Sequence, residues 1–242
     1  MRELGFIGFG SFGQFILPHL KPYFEISVYD KIDQSEKAKQ LGVKWESLEK
    51  VCSKEYVALA IPVQFLEELL IEIKDLIPAK SLVFDLSSVK VKPIDLMLKH
   101  LPATVEIIGT HPLFGPQSGK NGIAGLNIVV CPVRSKRSGS LIRFFADQLK
   151  LNVLERTPIA HDQQMAYVQA LTHFVGRAIN AMDIPDVEQK TPAYQYLLDI
   201  KRNLGKDSMD LFLTIEKENP YAKAVRDQFI VELENLNRML EG

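Results

Sequence analysis

The chain has 242 residues, 46% of them hydrophobic, and 29 basic against 30 acidic side chains leave a formal net charge of −1. That length supports one sizeable domain plus a smaller one, and the balanced charge offers no basic face for nucleic acid or anionic lipid, so the expected partners are small molecules or other subunits. Cys52 and Cys131 fit neither a metal-ligand spacing nor a disulfide framework, no apolar run approaches a membrane span, and Met1 leads too directly into residues 4–7 to leave room for a signal peptide; buried free thiols and a cytoplasmic location are expected.

In chain order, residues 4–7, 25–29, 56–61, 81–86, 106–109 and 126–131 read as strands. Their near-continuous apolarity predicts a parallel sheet covered on both faces. Segments 12–21, 34–41, 65–77 and 141–149 have helical length between them, giving a doubly wound α/β layout. The basic stretch 132–139, with Arg134, Lys136 and Arg137, reads as a solvated turn. From about Pro158 the strand signals stop, and segments 161–182, 193–204, 208–218 and 221–240 all read as helices. The predicted division is residues 1–156 and 157–242. In the last helix Val225, Phe229, Leu233, Leu236 and Leu240 recur at spacings of three and four, one apolar stripe that must be buried somewhere.

Gly8-Phe9-Gly10-Ser11-Phe12-Gly13 follows the first predicted strand and opens the first helix, the context in which G-x-G-x-x-G signals a dinucleotide site of the Rossmann type. Gly8 permits the turn, Gly10 lets the backbone approach a pyrophosphate, and Gly13 lets helix and strand pack closely. The phosphates would meet the N–H groups and positive dipole end of the helix. Asp30 closes the second strand, where an acid accepts hydrogen bonds from ribose hydroxyls and repels a 2′-phosphate. Lys31 follows and could soften that repulsion, so the expectation is NAD in preference to NADP. The expected cofactor set is Gly8, Gly10, Ser11, Phe12, Gly13 and Asp30, with Pro62 and Ser87 after later strands.

A nicotinamide reaction places its substrate at the carboxyl ends of the strands, and two of those ends are unusually polar. One is Asp85-Leu86-Ser87-Ser88-Val89-Lys90; the other is Gly109-Thr110-His111-Pro112-Leu113-Phe114-Gly115-Pro116. A histidine between a strand and a Pro/Gly loop is placed as an acid or base.

These segments, with the glycine fingerprint and His161-Asp162-x-x-Met165-Ala166-x-x-Gln169-Ala170-Leu171-Thr172-His173-Phe174, occur in the order found in prephenate and arogenate dehydrogenases, and the chain resembles that family over about residues 4 to 220. The resemblance implies hydride loss from the carbinol carbon of a cyclohexadienol to NAD(P), with loss of the ring carboxylate as carbon dioxide, on the route to tyrosine. It implies that His111 accepts the proton of the C4 hydroxyl, a task suited to an imidazole with an ordinary pKa near ~6.5, and that Ser88 bonds the same hydroxyl or the nicotinamide. It also implies that His173 and Gln169 line the substrate pocket and that Arg202, in Arg202-Asn203-Leu204-Gly205-Lys206-Asp207, binds the side-chain carboxylate, a role for which arginine's two-pronged geometry is suited. Lys201 is adjacent and could hold that role instead. Ala170 and Leu211 stand where some members have a histidine and an aromatic. Gln117, where an acid is frequent, suits the keto group of prephenate better than the ammonium of arogenate. The resemblance further implies a homodimer through the C-terminal helices. The chain ends too soon for an appended regulatory domain, so inhibition by tyrosine would act at the active site.

Two rival readings remain open at this level. One is a β-hydroxyacid or imino-acid reductase, against which the His-Pro-x-x-Gly-Pro loop argues. The other is a non-catalytic NAD-binding sensor.

Overall fold

In the computed structural model, which describes residues 2–204 and 208–242, the chain forms two units, Met1–Ile159 and Ala160–Gly242. The first is built on eight strands: β1 (Arg2–Ile7), β2 (Phe24–Tyr29), β3 (Lys44–Trp45), β4 (Tyr56–Leu59), β5 (Leu82–Asp85), β6 (Glu106–Pro112), β7 (Asn127–Arg134) and β8 (Asn152–Glu155). They lie in the order β3-β2-β1-β4-β5-β6-β7-β8. Strands β3 through β6 are mutually parallel, whereas β7 runs antiparallel to β6 and parallel to β8. The expected all-parallel sheet is corrected at that one junction.

Alternation along each strand feeds two cores, one on each face. Leu4, Phe6, Val28, Ala58, Phe84 and Ile108 fill one; Ile7, Val57, Leu59, Val83, Ile107 and Val129 fill the other. Helices α1 (Ser11–Leu20), α2 (Ser35–Leu41), α3 (Leu48–Cys52), α4 (Leu66–Ile73), α5 (Val91–His100) and α6 (Ser138–Arg143) cover the sheet. Strands β3 and β8 and helices α3 and α5 lie outside the sequence prediction. Both strands are short, with polar residues at half of their positions, and α5 carries Pro93 in its first turn, where the missing N–H costs no helical hydrogen bond. Helix α3 lies so close to β1 that a Cβ on Gly5 would stand 2.0 Å from the Val51 carbonyl oxygen.

The stretch read as a solvated basic turn is a clamp. Arg134 Nε donates to Val105 O at 2.9 Å. Arg137 donates to Glu106 Oε1 and to Glu55 Oε1, each at 2.9 Å. Two arginines thus satisfy carbonyls and carboxylates at the amino edge of the sheet. Both cysteines are free and buried, and burial pushes the Cys52 thiol up to about 12.

The second unit contains α7 (Pro158–Met165), a wider π-type turn over Ala166–Leu171, α8 (Thr172–Ala181), α9 (Pro192–Leu204), α10 (Met209–Glu218) and α11 (Ala222–Glu241). The predicted continuous helix over residues 161–182 is therefore interrupted by a π-bulge. Gly176 allows α8 and α9 to meet, since a Cβ there would stand 2.7 Å from Leu204 Cδ1. Asn219 Nδ2 donates to Asp162 O at 2.8 Å, and Arg226 pairs with Glu216 while lying 5.8 Å from the Phe174 ring centroid. The predicted stripe of α11 is buried only at its start. Val225 is buried, but Leu233, Leu236 and Leu240 are 50%, 53% and 80% exposed.

Candidate active site

Because β1, β2, β4, β5 and β6 are parallel, their carboxyl ends share one edge of the sheet. The chain moves outward from β1 to β2 and β3 and then returns to β4 on the other side of β1. That reversal places a crevice at the end of β1, where the glycines are.

Gly8 has φ +104° and a Cβ there would lie 2.4 Å from Ala60 O, so only glycine fits the turn. Gly13 brings α1 against the loop, its notional Cβ 2.5 Å from Gly8 O. A Cβ on Gly10 would meet nothing within 4 Å, so hydrogen at this position leaves the space beside the backbone open to a ligand. Gly10 is also the N-cap of α1, with no side chain capping that helix. The first-turn N–H groups, including those of Ser11 and Phe12, have no acceptor within the helix and suit an anion. These features fit a dinucleotide pyrophosphate.

Asp30 holds the turn from the side. Its Oδ2 accepts from Phe9 N at 2.6 Å and its Oδ1 from Ile32 N at 3.0 Å, which leaves lone pairs on both oxygens for sugar hydroxyls. Gln14 Nε2 donates to Phe9 O at 2.7 Å and to Gln34 Oε1 at 3.0 Å. Neither glutamine is among the residues that the glycine fingerprint predicts. Lys31 Nζ lies 2.9 Å from Glu68 Oε1, a partner that raises the lysine's pKa. Pro62 is exposed just after β4 and Ser87 is half-buried just after β5.

His111 is 3% exposed and lies within β6, opposite Val129 of β7. The expected strand end at Gly109 is thereby moved to Pro112, because β7 continues the ladder after β5 has stopped. Ser88 is half-buried in the turn between β5 and α5, while Gln117 is exposed in the loop that follows β6. Beneath them lies a fully buried Lys90–Asp85 ion pair, which the sequence reading did not assign.

In the helical unit, His173 is buried on α8 at 8% exposure. Gln169 sits in the π-type turn with its Oε1 buried and without a hydrogen-bond partner. Arg202, on α9, is a solvent-facing side chain 3.3 Å from Asp199 Oδ1. Lys201 is held by Asp183 Oδ1 at 2.7 Å and Ile184 O at 3.1 Å. Gly205, Lys206 and Asp207, the rest of the expected carboxylate-binding stretch, lie outside the described residues. Among the described residues no cluster of His, Cys, Asp and Glu could hold a metal ion, and no helix is long and apolar enough to cross a membrane.

A glycine turn at the switch point of a parallel sheet, braced by the acid that ends β2, makes the first unit a Rossmann-type nucleotide-binding domain. Residues 20–136 match the family model described as prephenate dehydrogenase, nucleotide-binding domain, and residues 178–242 match one described as TYRAAT1-like, C-terminal domain. The chain is thus similar to prephenate and arogenate dehydrogenases, most directly over the nucleotide-binding region. It is 31% identical to arogenate dehydrogenase 1, chloroplastic, of Arabidopsis thaliana over 99% of its own length and 39% of that protein's. It is 28% identical to arogenate dehydrogenase 2, chloroplastic, of the same plant, over 99% of this chain and 70% of the relative. The fold matches that of Aquifex aeolicus prephenate dehydrogenase, solved with hydroxyphenyl propionate and NAD+, with a TM-score of 0.78 at 21% identity, covering 99% of this chain and 91% of the other.

Proposed function

We propose that this protein oxidises prephenate to 4-hydroxyphenylpyruvate, with NAD as hydride acceptor and loss of carbon dioxide, as a step in tyrosine formation. The observation that carries the reading is His111, a buried imidazole on the strand beside the one that delivers Ser88, at the same sheet edge as a glycine turn suited to a dinucleotide. NAD, when bound, supplies the acceptor for the hydride leaving the carbinol carbon. His111 takes the C4 hydroxyl proton as the carbinol becomes electron-deficient, and Ser88 orients that hydroxyl or the nicotinamide amide. The electron pair of the breaking carboxylate bond then completes the aromatic ring, which makes the step irreversible.

Gly8, Gly10, Ser11, Phe12, Gly13, Asp30, Pro62 and Ser87 are proposed to hold the cofactor. Arg202, His173, Gln169 and Gln117 are proposed to hold the substrate, with Lys201 as the alternative to Arg202; each of the two cations already has an acidic partner, Asp183 for Lys201 and Asp199 for Arg202. The division of labour, residues 1–156 for the dinucleotide and 157–242 for substrate and subunit contact, is part of the same proposal, as are a homodimer and a cytoplasmic location. Arogenate is the second substrate reading, favoured by the names of the two plant relatives. Gln117 tips the choice to prephenate, since a neutral amide gives an ammonium no countercharge. Nothing favours the non-catalytic sensor.

The test is the appearance of NADH absorbance when the protein is mixed with NAD and either substrate. His111→Asn is expected to lower kcat by about 10²-fold or more, the usual contribution of a positioned base, with NAD affinity by calorimetry unchanged. An unaltered kcat would remove His111 from the mechanism.

A further inference from the structure

Strand β5 stops at Asp85, opposite Gly109 of β6. Thr110 and His111 run on past it, paired in the sheet with Val130 and Val129 of β7. The backbone groups that a longer β5 would have met still need partners, because buried main-chain N–H and C=O groups are rarely left unpaired. Two side chains take over. Lys90 Nζ donates to Thr110 O at 2.6 Å, and Thr110 Oγ1 donates to the main-chain O of Asp85 at 2.5 Å. The same ammonium pairs with Asp85 Oδ2, which also accepts from Ser87 N at 3.0 Å. Both charged side chains are 0% exposed. Room for the lysine stem depends on Gly109, where a Cβ would come within 3.2 Å of Lys90 Cδ and 2.6 Å of Ile94 Cδ1.

Stability alone is a poor reason for this arrangement. A buried ion pair is commonly no more stabilising than apolar side chains of the same volume, and here Asp85 Oδ1 is buried without a hydrogen-bond partner, a further cost. What apolar replacements could not supply is the geometry. The Thr110 carbonyl and the His111 N–H share one planar peptide group, so the bond from Lys90 fixes the plane from which the His111 side chain departs. The bond from Ser87 N to the same carboxylate fixes the turn that carries Ser88. One ammonium and one carboxylate therefore tie two strand ends, and the two side chains assigned to the reacting hydroxyl, into a single unit.

We propose that Lys90 and Asp85 are positioning residues that hold His111 and Ser88 in register with each other. The proposal rests on the dehydrogenase reading and adds to it a pair that touches neither substrate nor cofactor. The test compares Lys90→Met, the double variant Lys90→Met with Asp85→Asn, and Thr110→Val, each by thermal melting, NAD calorimetry and steady-state kinetics. Lys90→Met strands a buried carboxylate and is expected to melt well below wild type; the double variant removes that orphan charge and regains much of the loss. Its kcat is nonetheless expected to stay down by about 10²-fold, the cost of an ångström-scale misplacement, while the Kd for NAD and the KM for substrate stay within about threefold of wild type. Thr110→Val, which leaves both charges intact, is expected to show the same split at smaller size. Wild-type kcat in Thr110→Val and in whichever charge variant folds would overturn the positioning role while leaving the dehydrogenase reading in place. A wild-type protein that oxidises neither prephenate nor arogenate, with NAD or NADP, would overturn the reading of function and this role with it.

Discussion

Asp30 braces the glycine turn, and under the proposed function it also governs the choice of cofactor. Its carboxylate already bonds Phe9 N at 2.6 Å, so it braces the loop before any ligand arrives, and each oxygen keeps a lone pair for a further donor. Hydrogen bonds from ribose hydroxyls to a carboxylate contribute about 1.5–3 kcal/mol, whereas a 2′-phosphate there would face a like charge. The neighbouring cation is engaged elsewhere, since Lys31 pairs with Glu68. NAD is therefore expected to give the higher kcat/KM, and Asp30→Ala is expected to raise the KM for NAD by about 10-fold or more, following the energy of the lost bonds. Initial rates with both cofactors check this; equal or better turnover with NADP by the wild-type protein would show that Lys31, not Asp30, governs the choice. The turn at Gly8 and the close packing at Gly13 were legible in the sequence because each answers a backbone demand tied to its place after a strand, whereas His111, expected after a strand, lies within β6. Lys90, Gln14 and Arg137 were not legible. Their roles depend on partners 20, 20 and 31 residues away, Thr110, Gln34 and Glu106, which only the strand order brings within reach.

The same distinction holds for whole elements. Strands β1, β2, β4, β5, β6 and β7 announce themselves as apolar runs because both faces are covered, while β3 and β8, short and at the two edges of the sheet, have no such requirement. The interruption of the first long helix by a π-type turn at Ala166–Leu171 leaves the apolar period nearly intact, so residue pattern could not reveal it. Helix α3 shows how a five-residue element survives without periodicity: Leu48, Val51 and Cys52 are all buried, and Gly5 lets the helix backbone touch β1. Gly5→Ala would place a methyl 2.0 Å from the Val51 carbonyl oxygen, a clash with backbone that no rotamer relieves. It is expected to destabilise the fold by about 1–3 kcal/mol, the usual cost of overpacking, read as a lower denaturant midpoint at unchanged slope. Cofactor affinity measured well below the melting transition should be little altered. A midpoint within error of wild type would mean that α3 is free to slide along β1.

At the scale of the molecule, the helical unit buries few apolar side chains among its described residues, Met165, Ala166, Leu198 and Val225 besides one small cluster. Its buried apolar cluster comprises Ala170, Ile215 and Ala222, with Leu211 packed against them, whereas the first unit has two full cores on either face of its sheet. Helix α11 meanwhile carries Leu233, Leu236, Met239 and Leu240 at 50%, 53%, 70% and 80% exposure. An apolar row of that length on a 20-residue helix costs free energy in water, and burying one such side chain contributes about 1.5–3 kcal/mol. A second copy of the chain offers an identical row, and a two-fold axis allows the two rows to cover each other in a closed contact that propagates no further. The expected species is therefore a homodimer joined through the C-terminal helices, measured as twice the chain mass by light scattering at assay concentration. Leu233→Glu with Leu236→Glu would put two carboxylates per chain into that contact, four in all, and is expected to yield a monomer with a lower melting temperature, because the charges cannot be desolvated without partners. Position matters: Lys223→Ala, at an exposed side chain away from that row, should leave the dimer intact. A wild-type protein that is monomeric and fully active would show that the exposed row serves no subunit contact, and that the small helical core suffices by itself.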